Sequence, residues 1–129
     1  MVRTDDRGET SAQFVVLAPV LFALVLAVVQ VSSLWTAAQT ASIAARRGAR
    51  AASMAGDNGR YFVSAATAVE ATVGELRGRL AAPPEVRLDG TNVTVEVSLG
   101  ISSIVPFVPS SVTRSVTVPL ERFVQESER

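Results

Sequence analysis

The sequence predicts an α+β protein: a long N-terminal transmembrane helix, then a second amphipathic helix packed on a small antiparallel sheet of about three strands. Three observations carry this expectation. Residues 14–29 read FVVLAPVLFALVLAVV, with no polar side chain. Residues 62–80 repeat apolar side chains at helical spacing, and residues 92–99 alternate polar with apolar.

The first eight residues form a short charged leader, with Arg3, Asp5, Asp6 and Arg7 before Gly8. A long helix is expected over residues 9–55, with its transmembrane segment at about 14–35. Gln30, Ser32 and Ser33 interrupt the apolar run weakly, and Val31, Leu34 and Trp35 extend it. About 22 residues make roughly 33 Å of helix, which matches a hydrocarbon core of about 30 Å. The Val, Leu and Phe side chains together favour insertion by roughly 4–7 kcal/mol. Pro19 removes one backbone donor but is tolerated in a membrane helix. Trp35 falls where an interfacial aromatic belongs. Two rivals compete with this reading. One is a buried core helix of a soluble protein, which the rest of the chain is too small to enclose. The other is a cleaved secretory signal, for which the run is long and the sites Thr36-Ala37-Ala38 and Ser42-Ile43-Ala44 are weak.

Beyond Trp35 the chain is Ala-rich and continues to favour helix. Ala41, Ala45, Ala49 and Ala52 follow one another at spacings of three or four. This small-residue stripe suits close approach of another helix, and equally it is good helix-forming sequence. Arg46, Arg47 and Arg50 cluster toward another side. Gly56-Asp57-Asn58-Gly59 combines breakers and caps and ends the helix.

The α+β module is expected over residues 60–129. In its helix, Phe62, Ala66, Val69, Val73, Leu76 and Leu80 form one apolar face, and Pro83-Pro84 stops the helix. Val86 and Leu88 alternate with charged residues in a first strand, and residues 89–92 (DGTN) make a turn. Val93, Val95, Val97 and Leu99 alternate with polar residues in a second strand. Pro106 and Pro109 make residues 100–111 a loop. Val112, Arg114, Val116 and Val118 mark a third strand, and the charged tail from Leu120 onward is expected to fray.

Composition excludes much chemistry. The 129 residues contain no Cys and no His, which removes thiol nucleophiles, disulfides, imidazole bases and the commonest transition-metal ligands. Twelve basic residues, all Arg, balance twelve acidic ones, so no global field points to nucleic acid. Asp57, Glu70, Glu75, Asp89 and Glu96 are scattered and form no acid–base pair. The glycines make no phosphate-binding pattern, and the serine pairs have no His partner. No enzyme activity, cofactor, metal or small-molecule substrate is expected.

One junction is informative. Arg7-Gly8 precedes a polar pentad and then the apolar helix, as RGETSAQFVVLAPVLF. This resembles the class III signal of type IV pilins and pseudopilins, and more closely the TadE-like family of pseudopilins from tight-adherence (Flp) pilus systems. Arg7-Gly8, the stretch from Glu9 to Ala12, Gln13-Phe14, Pro19 and the later AARRGARA segment of residues 44–51 stand in the order and spacing of that family. The resemblance covers about the first 55 residues well and the remainder in general plan. It implies cleavage by a prepilin peptidase between Gly8 and Glu9, and a helix-start and assembly position at Gln13 and Phe14. The family usually has Glu where this chain has Gln13. In pilins that carboxylate meets the positive N-terminus of a neighbouring subunit; Gln keeps the size and the hydrogen bonding but loses the charge. Thr10-x-x-Gln13 also reads as a capping box that starts the helix.

The resemblance further implies a minor pseudopilin of Tad pilus assembly in the cell membrane. Its N-terminus would be cytoplasmic, its module extracytoplasmic, and its partners a prepilin peptidase and other pilins, pseudopilins or Tad secretion components. The positive-inside rule alone leans the other way, because Arg46, Arg47 and Arg50 outnumber Arg3 and Arg7. An unprocessed single-pass scaffold or binding protein, whose outer module recruits a partner, is the alternative function.

Overall fold

A computed structural model describes residues 6–56 and 59–120 of the chain. The leader residues 1–5, the pair Asp57-Asn58 and the tail 121–129 lie outside the described residues. The elements run α1 (Asp6–Ala55), α2 (Tyr61–Glu75), β1 (Glu85–Asp89), β2 (Asn92–Gly100) and β3 (Ser111–Pro119). The three strands form one antiparallel sheet in the order β1-β2-β3. The fold class is α+β, with a long apolar N-terminal helix, a second helix and a three-stranded sheet.

α1 is continuous over 50 residues and contains Pro19. Its described residues begin at Asp6, ahead of the Gly8-Glu9 junction. Thr10 and Gln13 have helical backbone in the uncleaved chain. Gly56 and Gly59, with φ of +64° and +69°, supply left-handed backbone after α1. α2 then turns back and packs along the C-terminal part of α1.

α2 is shorter than the expected helix. It buries Ala65, Val69, Thr72 and Val73, while Phe62 and Leu76 remain 50% and 45% exposed. The buried stripe is therefore rotated from the expected face and keeps only Val69 and Val73 of it. The helix ends at Glu75 because the chain makes a Schellman turn. The Gly78 N–H donates to Val73 O at 2.8 Å, and the Arg77 N–H to Gly74 O at 3.1 Å. Arg77 occupies the left-handed position of this turn, with φ of +54°. Leu80 thus leaves the helix and bridges Leu99 at the sheet.

The sheet follows its period of two. Val93, Val95, Val97 and Leu99 are buried on one face of β2. The other face is polar: Thr94 bonds Thr117 and Ser98 bonds Thr113 across the β2–β3 pair, each at 2.8 Å. On β1, Arg87 pairs with Glu85 at 2.8 Å, and Glu85 with Glu96 beyond it raises the pKa of the guanidinium. Two residues, Gly90 and Thr91, close the β1–β2 hairpin, and Gly90 has φ of +57°, as a first-position glycine in a primed turn requires. The sheet lies chiefly on α1, through β2 and β3, while β1 touches α2.

Candidate functional site

The features that matter for function are distributed along α1. Its first half is bare. Phe14, Leu17, Leu21, Phe22 and Leu24 are 59–72% exposed, and Leu26 is half-buried. α1 is long and apolar enough to cross a membrane, and only 6% of its most apolar stretch is buried. The rival reading of a soluble core helix fails on this exposure. One N-terminal apolar helix of this kind fits a single-pass membrane protein.

The N-terminal positions singled out from sequence lie together at one end of this helix. Gly8 and Glu9 have helical backbone in its first turns. Gln13 and Phe14 are exposed, and Gln13 shares a shallow apolar face with Ala12, Val16, Leu17 and Val20. Nothing else in the fold approaches that face among the described residues. A second helix, or lipid, can therefore reach it.

The stripe Ala41, Ala45, Ala49 and Ala52 lies about 42 Å further along, taking Gln13 to Ala41 at 1.5 Å per residue. All four side chains are fully buried, with Ala44, in the core formed with α2 and β2. The structure thus separates the stripe from the N-terminal positions and places it inside the module. Gly48 stands at the tightest point. A methyl group there would lie 2.6 Å from Val69 Cγ2 and 3.3 Å from Val95 Cγ1, so only glycine lets α1 approach α2 and the sheet this closely. Sequence reading took Gly48 only as part of the segment 44–51, although a glycine inside an otherwise Ala-rich helix is itself a sign of close approach.

Arg46, Arg47 and Arg50 are exposed. Arg47 reaches Glu75 of α2 at 2.9 Å, with both side chains more than half exposed. Such a pair contributes at most about 1 kcal/mol. Arg46 stands roughly 18 Å beyond Leu34 along the helix.

Gln30, which in sequence only interrupts the apolar run, has a structural partner. It is 4% exposed, and its Oε1 accepts the Ile104 N–H at 3.2 Å. Its Nε2 is buried with no partner among the described residues. One polar residue within the apolar run therefore holds the β2–β3 loop against α1. A local pattern shows the polar residue but not the distant loop that it meets. Among the described residues no group of acidic side chains could hold a metal ion.

Comparison with curated proteins and with solved structures returned no match. Comparison with protein families matches residues 8–50 to the family described as TadE-like protein. The matched segment begins at Gly8, takes in Gln13, Pro19 and the bare apolar run, and ends at Arg50 inside the packed half of α1. Over this segment, residues 8–50, about a third of its length, the chain is similar to the TadE-like family.

Proposed function

We propose that this chain is a non-enzymatic minor pseudopilin that works in assembly of a Tad/Flp-type pilus. It is anchored by α1, with its N-terminus cytoplasmic and its α+β module outside the membrane. The observation that carries the reading is the continuity of α1. The TadE-like segment runs unbroken from the Gly8-Glu9 junction, through a helix with no protein cover, into the buried alanines of the module. That is the layout a subunit needs if one helix both anchors it and carries its head. An ordinary signal-peptide cut after Ala44 would remove Ala41 and Ala44 from the core, so the fold favours retention of α1. The orientation rests on the Gly8-Glu9 junction, which a prepilin peptidase has to reach from the cytoplasm, and it stands against the positive-inside count of Arg46, Arg47 and Arg50.

In this reading a prepilin peptidase cleaves after Gly8, and the mature chain begins at Glu9. Gln13 lacks the full charge attraction that a Glu would have for a neighbour's free amine in a low-dielectric setting, although desolvation offsets part of that attraction. The chain therefore acts at the base or tip of an assembly in few copies. The test is co-expression with the cognate peptidase, followed by N-terminal sequencing and by protein composition of purified pili. A start at Glu9, abolished by Gly8→Ala but not by Gln13→Glu, with only trace amounts in pili, is the expected result. A start near Ala38 or Ala45 would mean an ordinary signal peptide. Dominance of the chain in the pilus shaft would contradict the minor role. The absent carboxylate at Gln13 also favours one second reading, an unprocessed scaffold whose module recruits a partner; an intact N-terminus beside a processed sister pilin would select it.

A further inference from the structure

The apolar surface of the protein does not end with α1. The β2–β3 loop, residues 101–110, reads ISSIVPFVPS. Ile104 is 62% exposed and Phe107 is wholly exposed. Phe107 also has φ of +74°, a left-handed backbone that bulky residues rarely adopt and that marks functional strain. A loop tip that presents a strained, fully exposed phenylalanine to water is costly twice over.

The place of this loop in the fold tells what covers it. The Ile104 N–H donates to Gln30 Oε1, which ties the loop to the apolar run of α1 itself. Ile101 and Ser102 flank the same groove as Val28 and Val29, and Val112 at the start of β3 lies by Val31 and Leu34. Gln30 is about 24 Å from Phe14 along the helix, short of the roughly 30 Å needed to cross the hydrocarbon. A bilayer that accommodates the bare half of α1 therefore reaches the level of the loop. Arginines stand just beyond that level. Arg77 and Arg79 face the groove beside Thr36 and Thr40, and Arg114 lies beside Trp35 and Ser42. Apolar Ile104 at the level of Gln30, with an exposed Phe107 in the same loop and cations beyond, is the order of a membrane interface, with hydrocarbon first and phosphate next.

We propose that the β2–β3 loop is a second membrane contact. Ile104 and Phe107 enter the leaflet around the C-terminal end of the span, and Arg77, Arg79 and Arg114 meet lipid phosphates. The helix and the loop then fix the module at two points, so that its tilt and rotation on the bilayer are set. The inference rests on the reading of α1 as the span, and it holds for either orientation of the chain.

The experiment uses the full chain in phosphatidylcholine–phosphatidylglycerol vesicles, with Trp35→Phe as background and one tryptophan introduced at a time. Val25→Trp reports the span, Leu88→Trp on β1 reports the distal sheet, and Phe107→Trp reports the loop. Emission is read with lipids brominated on their acyl chains and with aqueous acrylamide. The expected result is that Phe107→Trp is blue-shifted and quenched by shallowly brominated lipid. Val25→Trp should be quenched by deeply brominated lipid, and Leu88→Trp by acrylamide alone. If Phe107→Trp is as open to acrylamide as Leu88→Trp while Val25→Trp is quenched by lipid, the loop proposal is overturned and the span stands. A blue shift at Phe107→Trp without lipid quenching also overturns it, because protein would then cover the loop. Absence of lipid quenching at Val25→Trp overturns the span, and the loop contact with it.

Discussion

The two halves of α1 belong to one unbroken helix and meet different surroundings. Between Phe14 and Val29 the large side chains are mostly exposed, from 72% at Phe14 to 46% at Val29. Between Ala41 and Ala52 the buried residues are alanines and a glycine, and the alanines have no exposed surface at all. Side-chain size explains the difference. Large apolar groups on every face leave no side for a neighbouring backbone, and lipid is the natural solvent for such a surface. Small groups on one face let α2 and the sheet come close, and the packed density of a protein interior then does the holding. A helix can thus pass from lipid into protein without a break, by reducing residue volume on the face that meets the module while its outer face turns polar at Arg46, Arg47 and Arg50.

Substitutions that are alike in kind should have opposite effects in the two halves. The largest effect is expected from a charge in the bare half. Leu21→Arg should cost roughly 3–4 kcal/mol of insertion at mid-span and shift the chain out of the alkali-resistant membrane fraction. The module should still fold, as judged by protease resistance of residues 61–120. Removal of packing comes next. Leu99→Ala, at a side chain 1% exposed, should cost the module about 2–5 kcal/mol in urea unfolding in micelles, whereas Leu21→Ala should leave that unfolding unchanged. Equal effects of the two alanines would mean that the halves are not distinct. Overpacking follows: Gly48→Ala should cost about 1–3 kcal/mol, because Val69 has to move from a 2.6 Å contact. The smallest effect has the opposite sign. Arg77→Gly should stabilise the module by up to about 1 kcal/mol, read as a higher urea midpoint, since glycine holds a φ of +54° without the penalty that a side chain meets.

What could be read from sequence follows the range of the forces involved. The strict alternation of Val93, Val95, Val97 and Leu99 marks β2, because one face of a sheet must be apolar and its period is two. The bare helix is equally plain, since sixteen residues without a polar side chain have few soluble solutions. The end of α2 is hidden because it rests on Arg77 in a conformation usually left to glycine; Gly74 and Gly78 flank the stop without occupying its critical position. Leu80 keeps the helical register in sequence, yet it pairs with Leu99, and a one-dimensional period cannot show that pairing. Gln30 and Gly48 look like blemishes in their helices. Each is explained only by a partner far along the chain, Ile104 for one, Val69 and Val95 for the other.

The most direct test of one helix in two solvents uses the absence of cysteine, which makes any introduced thiol the sole label. Cysteines placed singly at Leu21, Ala45 and Arg46 are treated in intact spheroplasts with a membrane-impermeant maleimide. The account predicts rapid labelling at Arg46, labelling at Ala45 only after the module is unfolded, and none at Leu21 until the membrane is dissolved. Labelling at Leu21 as fast as at Arg46 would contradict the membrane span, and labelling at Arg46 only after lysis would contradict the orientation.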